Sequence, residues 1–282
     1  MSSCLCGEIA IVSIITLLTD FGTEDYFVGA TKGVILSANP AVQIVDLTHD
    51  ILPQDIHAGA FNLLAAYKDF PRGTIHVAVV DPGVGSNRRP ILIECANQFF
   101  VGPDNGIFGW ICEREGDWRA HHLTNEKFFR HPTSKTFHGR DVFAPVAAAL
   151  ANGTKPEEVG PVVDEIVELE SLNPMTTNDG KIEGRIIHID RFGNCVTNLT
   201  ANDVWSDNHA SRLIVNDNEI DSFREFFSEN PGAGKELFML FGSAGFIEIA
   251  AQNSSAADIL HAQRGQLVTL VRDAADEKTT SP

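Results

Sequence analysis

From Ile14 the chain alternates between two periodicities, and this alternation limits its fold more than any other feature. "IITLLTD" reads as a buried strand, and "YFVGATKGVILSANP" as a helix halted by Asn39-Pro40. "AVQIVDLTHD" is a second strand, "DIHAGAFNLLAAYKDFP" a helix ended by Pro71, and "GTIHVAVVD" a third strand. Parallel strands need long crossovers, and helices of this length are what supplies them. Strand, helix, strand, helix, strand with short connections therefore predicts an α/β domain, a parallel sheet with helices on both faces.

Further on the pattern changes. "PILIECANQFFVGPDNGIFGWI" holds two more strands and a turn at Asn105-Gly106. "DVFAPVAAALANG" is a helix with Asp141 at its start and Gly153 just past its end. The polar, turn-rich "ESLNPMTTNDG" (170–180) reads as a linker. After it, "KIEGRIIHIDRFGNCVTNL", "KELFMLFGSAGFIEIAAQ" and "GQLVTLVRD" are short strands with glycine turns. A chain of 282 residues also favours two domains over one. The expected division is an N-terminal α/β domain over 12–170 and a smaller, mainly β, barrel-like C-terminal domain over 181–273, with a frayed tail "DAADEKTTSP".

Charge narrows the partners. A net charge of −17 argues against nucleic acid and anionic membranes, both of which need a basic face. It is compatible with a cationic small ligand, although a solvated acidic surface is the more frequent cause. Five irregularly spaced cysteines make no disulfide framework, and the Cys4-x-Cys6 pair has no counterpart with which to hold zinc. The apolar run from Ile11 to Leu18 follows no basic residue and stops at Thr19-Asp20, so it reads as a strand and not a signal peptide. No stretch is long enough to span a bilayer. The expectation is a soluble, cytoplasmic protein.

In a parallel α/β sheet, ligands bind beyond the carboxyl ends of the strands. Here those ends are polar: Thr19-Asp20, Asp46-Leu47-Thr48-His49 and Asp81. Any one aspartate in such a place is more often a helix cap or turn former, and Asp20 and Asp46 fit that reading. Three together favour a site. Asp81 opens "DPGVGSNRR", where Pro82 extends the backbone and Gly83 and Gly85 allow a sharp turn. Seven residues on, Arg88 can fold back to hold that carboxylate ionised, and Arg89 is an alternative partner. A salt bridge that only locks a loop is an equal reading. In "TFHGRD", His138 stands in a polar turn just before the helix that Asp141 opens, and His49 is its weaker rival. The signatures of dinucleotide, P-loop, serine-hydrolase and zinc-protease sites are missing. "TDFGTEDYF" carries Asp20, Glu24 and Asp25, which repel phosphate but suit ribose hydroxyls or a cation. In the C-terminal half, Asp190, Phe192 and Asn194 surround a glycine turn, and "FGSAGFIEIA" offers Ser243 and Glu248. An aromatic face beside an Asn amide suits adenine, and a plain β-hairpin turn is the rival explanation.

Taken together, "TDFGTEDYFVGATKG", "VVDPGVGSNRR", "TFHGRDVFAP", "DRFGNCVTNL" and "FGSAGFIEIA" resemble, in order, the S-adenosylmethionine (SAM) hydroxide adenosyltransferases, the adenosine-forming SAM hydrolases related to the SAM-dependent fluorinase and chlorinase. The resemblance runs from about Ile14 to Asp273. It implies a homotrimer with active sites at subunit interfaces, each between the N-terminal domain of one subunit and the C-terminal domain of its neighbour. It implies a water-activating triad of Asp81, Arg88 and His138, and a ribose carboxylate at Asp20. Asn194 beside Phe192 would take adenine, Asp190 and Ser243 the amino-acid end, and Glu248 would stand in the strand that closes the pocket. The halogenase relatives lack the triad's aspartate and histidine, which this chain retains.

The activity so implied is hydrolysis of SAM to adenosine and L-methionine by in-line attack of water or hydroxide at C5′. His138 or Asp81 would take the proton, and neither metal nor cofactor is required, since SAM is itself the substrate. The alternatives are a SAM-dependent 5′-halogenase, a SAM- or adenosine-binding protein without turnover, and a metal-dependent hydrolase using Asp81, His138, Asp141 or His49. No metal-ligand spacing supports the last.

Overall fold

The computed structural model describes residues 13–205, 211–227 and 236–272. Cys4, Cys6, the tail and the outer limits 12 and 273 of the expected domains lie outside these residues. The chain divides between Leu169 and Glu170 into two units.

In the first unit the expected alternation is present: β1 (Ile14–Thr19), α1 (Phe27–Ala38), β2 (Gln43–Thr48), α2 (Ile56–Ala66) and β3 (Ile75–Val79). Asn39 ends α1 with extended backbone, and the Asp55 carboxylate caps α2 by accepting the Ala58 N–H. Two antiparallel strands follow, β4 (Pro90–Cys95) and β5 (Gln98–Pro103). Ala96 and Asn97 both hold positive φ, the conformation a two-residue hairpin needs to match strand twist. Then come α3 (Gly109–Glu115), β6 (Trp118–His122), α4 (Ala144–Ala151), α5 (Pro156–Val159) and β7 (Val162–Val163).

The sheet runs β2-β1-β3-β5-β4-β6-β7. Its first four strands pair in parallel, and the rest extend it antiparallel, so the sheet is mixed. One face carries α1 and α4 over Ile15, Leu17, Val77 and Val79, all buried. On the other, α2 lies so close that a Cβ on Gly59 would come within 3.2 Å of Val80 and Ile107. From β1 the chain steps outward to β2, then returns to β3 on β1's other side. The carboxyl ends of β1 and β3 therefore flank the crevice where α/β sheets bind ligands.

The second unit is an antiparallel sheet in the order β12-β11-β15-β9-β10-β14-β13. Its strands are β8 (Met175–Thr176), β9 (Ile182–Ile189), β10 (Cys195–Thr197), β11 (Ser211–Val215), β12 (Asn218–Ile220), β13 (Leu237–Phe241), β14 (Ile247–Ala251) and β15 (Leu267–Arg272), with short helices α6 (Ala201–Trp205) and α7 (Ala256–Leu260). A bridge from Phe223, just past β12, to Met239 on β13 brings the two edges together into a nearly closed barrel. The presumed linker is partly ordered, because its Met175–Thr176 pairs with β9.

Inside β3, His76 is wholly buried, its ring stacked on Phe100 at 5.0 Å and its Nδ1 2.8 Å from the Thr16 hydroxyl. Burial pushes its pKa down from 6.5 to about 4. A depressed folded-state pKa means that stability is full above 6.5 and lost as pH falls toward 4, where the unfolded chain takes the proton first. Urea unfolding of the wild type should lose about 3 kcal/mol over that window through this group. His76→Phe should flatten the profile there.

Candidate active site

The first unit holds a cavity of about 290 Å³ at this crevice, lined by Asp20, Phe21, Phe27, Asp81, Phe137 and His138 among others. Asp20 follows β1 and Asp81 follows β3, so the sheet itself sets their spacing.

Beyond Asp81 the chain doubles back. Val84 N–H donates to the Asp81 carbonyl, Ser86 N–H to that of Gly83, and Gly85 sits at φ 78°. This returns Arg88 onto Asp81. The Arg88 Nε donates to both carboxylate oxygens at 2.9 and 3.0 Å, Nη2 also engages Oδ2, and both side chains are nearly buried. Nη2 lies 2.9 Å from His138 Nδ1, so one guanidinium spans both groups. Arg88 Nη1 is buried with no hydrogen-bond partner among the described residues. Arg89 serves elsewhere: its Nε donates to Asp104 at 2.8 Å and its Nη2 to the Glu165 carbonyl at 2.9 Å. The choice between the two arginines, open in the sequence, falls to Arg88.

His138 precedes a π-helical turn, Gly139–Phe143, that runs into α4. Such wide turns within helices are frequent at functional sites. Asp141 was expected to cap this helix, but it lies inside the π turn and is fully buried. Its carboxylate accepts from Arg140 Nε at 2.7 Å, Arg140 Nη2 at 2.8 Å, Arg130 Nη1 at 3.2 Å and the Ser134 N–H at 2.8 Å. It therefore ties down the loop leading to His138. That loop and the Arg88 turn meet at Gly85, where any Cβ would overlap the Lys135 carbonyl. Burial, and then the Arg88 charge, hold the His138 pKa below its usual value, with Asp81 and Asp141 pulling the other way.

Asp20 accepts the Gln54 N–H at 2.8 Å and Asp46 pairs with Lys32 at 2.6 Å, so neither caps the helix that follows it: the N-cap residue is Tyr26 for α1 and Asp55 for α2. His49 is buried but does not line the cavity. No cluster of three or more His, Cys, Asp or Glu suited to a metal occurs among the described residues. The sequence reading missed the cavity's aromatic wall: Phe137 meets Phe27 at 5.2 Å and Phe21 at 5.8 Å, both edge-on. The phenylalanines of "TDFGTEDYF" were the available signal.

The second unit has its own cavity, about 730 Å³, lined by Asp190, Phe192, Asn194, Phe227, Asn253 and Ser255 among others. Asp190 Oδ1 accepts the Phe192 and Asn194 N–H groups, and its Oδ2 accepts the Asn194 amide, each at 2.8 Å. This fixes the orientation of Asn194 and leaves Phe192 78% exposed. Gly193, at φ 84°, is required here, since a Cβ would overlap the Ser255 side chain. Ser243 and Glu248 are not among the residues lining that cavity. Glu248 stands half-buried on β14, its pKa raised by burial and then by Asp190.

The fold and the site define a class: an α/β unit with a carboxylate–guanidinium–imidazole cluster at its sheet crevice, followed by a small β barrel. Residues 15–160 match the SAM hydroxide adenosyltransferase N-terminal domain and residues 184–269 its C-terminal domain. The chain belongs to this family. It is 37% identical to the (R)-S-adenosyl-L-methionine hydrolase of Methanocaldococcus jannaschii, over 89% of this chain and 93% of the relative. A fluorinase of an Actinoplanes species is 30% identical over 68% and 73% of the two chains. The crystal structure of an uncharacterized conserved protein from Thermotoga maritima superposes with a TM-score of 0.83 at 34% identity, covering 92% of this chain and all of that one.

Arg88→Gln should raise the His138 pKa, because it removes a facing positive charge while burial persists. NMR titration of the imidazole protons reads this directly, and an unchanged value would mean that Arg88 and His138 do not interact.

Proposed function

We propose that the protein hydrolyses S-adenosyl-L-methionine to adenosine and L-methionine, with the (R) epimer at sulfur, named for the hydrolase relatives, as the preferred substrate. The carrying observation is the Arg88 bridge between Asp81 and His138 at the crevice cavity. The sulfonium needs no further activation, so the chemical work is to hold one water in line with the C5′–S bond and to take its proton.

The hydrogen-bond directions divide the roles. Arg88 can only donate, so His138 Nδ1 accepts and the neutral ring carries its proton on Nε2. His138 then donates to the attacking oxygen, and Asp81 accepts the water's proton. As O–C5′ forms, C5′–S breaks with its electron pair on sulfur, and methionine leaves as a neutral thioether. Arg88 is a positioning residue that keeps Asp81 and His138 in register. No metal or cofactor enters this chemistry. A carboxylate and an imidazole at the nucleophile position disfavour halide.

Asp20 is the ribose contact, with the acidic turn around it suited to hydroxyls. Phe192 and Asn194 take adenine, Asp190 and Ser243 take the methionine end, and Glu248 closes the pocket. The working form is a cytoplasmic homotrimer whose sites join the N-terminal unit of one subunit to the C-terminal unit of its neighbour. The exposed Tyr26, Phe192, Phe226 and Phe227 support this, since large aromatics left in water favour a covering partner. No helix among the described residues is long and apolar enough to cross a membrane.

Asp81→Asn and His138→Ala should each lower kcat at least ~100-fold with KM changed only severalfold. Phe192→Ala should chiefly raise KM. At SAM far below the Phe192→Ala KM, mixing Asp81→Asn with Phe192→Ala subunits under exchange should raise activity above the sum of the two unmixed variants, through sites intact in both halves. No recovery would remove the shared-site trimer, and unchanged SAM with wild type would remove the hydrolase.

A further inference from the structure

His49 lies outside the cavity, yet the turn that carries Asp20 is built on it. Its backbone carbonyl accepts the Gly22 N–H at 2.8 Å, and its buried side chain places Nδ1 2.8 Å from Thr19 Oγ1. Nε2 faces the Asp46 carboxylate, 3.1 Å from Oδ1 although outside hydrogen-bond geometry, so the tautomer with its proton on Nε2 meets a negative charge and offers Nδ1 as the acceptor. The Thr19 hydroxyl then donates to Nδ1 while its oxygen accepts the Phe21 N–H at 3.2 Å. The other oxygen of Asp46 pairs with Lys32 at 2.6 Å. These contacts form one run of uniform direction: Phe21 N–H to Thr19, Thr19 O–H to His49, and His49 N–H toward a carboxylate that Lys32 compensates. Beyond His49 in the same segment, the Gln54 N–H holds Asp20 itself.

We infer that His49 is a positioning residue for the substrate's nucleoside half. Through Thr19 it sets the conformation of residues 19–22, and with it the placement of Asp20 and Phe21 on the cavity wall. The chain of contacts stops at the wall and does not reach Asp81, Arg88 or His138. Its loss should therefore weaken binding that substrate and transition state share, and leave the chemical step alone. The inference rests on the hydrolase reading for its kinetic form, but adenosine binding tests it separately.

The test compares Thr19→Val, His49→Phe and His49→Asn with wild type, using adenosine calorimetry and steady-state turnover of SAM. His49→Asn keeps an acceptor near the Nδ1 position. Thr19→Val and His49→Phe should each weaken adenosine and raise KM by about tenfold, the scale of one buried hydrogen bond left unmade, with kcat nearly unchanged. The double variant should be little worse than either single one, because both break the same link. His49→Asn should recover most of the affinity, and thermal melts should show whether a variant is folded. A kcat loss at unchanged KM, additive penalties, or affinity unrelated to the retained acceptor would overturn the inference. Wild type that binds adenosine but leaves SAM intact would remove the hydrolase, and the adenosine constants would still decide the role of His49.

Discussion

A single guanidinium organises the first unit's site. Arg88 holds its N–H donors in a fixed plane, and it directs Nε and Nη2 to the Asp81 carboxylate and Nη2 to the His138 ring as well. Buried charges are tolerated only when paired, and here the carboxylate and the cation cancel each other within hydrogen-bond distance. Burial, and then the same contact, hold the imidazole pKa below its usual value, because a second proton on Nδ1 would be desolvated and would face the arginine. Removing any member leaves another charge or lone pair buried without its partner.

The surrounding scaffold serves that pairing. The sheet crevice spaces the Asp20 and Asp81 strand ends, and the glycine turn brings Arg88 back. A four-fold hydrogen-bonded Asp141 secures the loop to His138, and Gly85 lets the two loops touch. Asp81, Arg88 and His138 thus sit on short, tightly bonded turns anchored in a rigid sheet. This is where positioning to a fraction of an ångström is attainable. In the second unit, the Asp190 turn holds Phe192 and Asn194 by the same device, a carboxylate hydrogen-bonded three times within its own turn.

Legibility in the sequence followed the range of the interactions. The β1-to-β3 alternation, the polar strand ends and the turn from Asp81 to Arg88 are all local patterns, and each is present in the fold. The antiparallel extension through β6 and β7 was not legible: "WRAHH" and "VV" have too little periodicity to stand out, and tertiary pairing decides them. Nor could spacing separate Arg88 from Arg89, since the deciding partners, His138 and Asp104, lie 50 and 15 residues away. Asp141 looks like a cap in the sequence because Asp before a helix is a preferred one. Besides the adjacent Arg140, its partners Arg130 and Ser134 lie upstream in an irregular loop that the sequence pattern does not place.

The central claim is that water is the nucleophile and C5′ the carbon attacked. Turnover of SAM in ¹⁸O-labelled water, in chloride-containing buffer, with both products analysed by mass, tests it most directly. The account predicts label in the 5′-hydroxyl of adenosine, unlabelled methionine and no 5′-chlorinated nucleoside. Unlabelled adenosine, or a halogenated product, would contradict it.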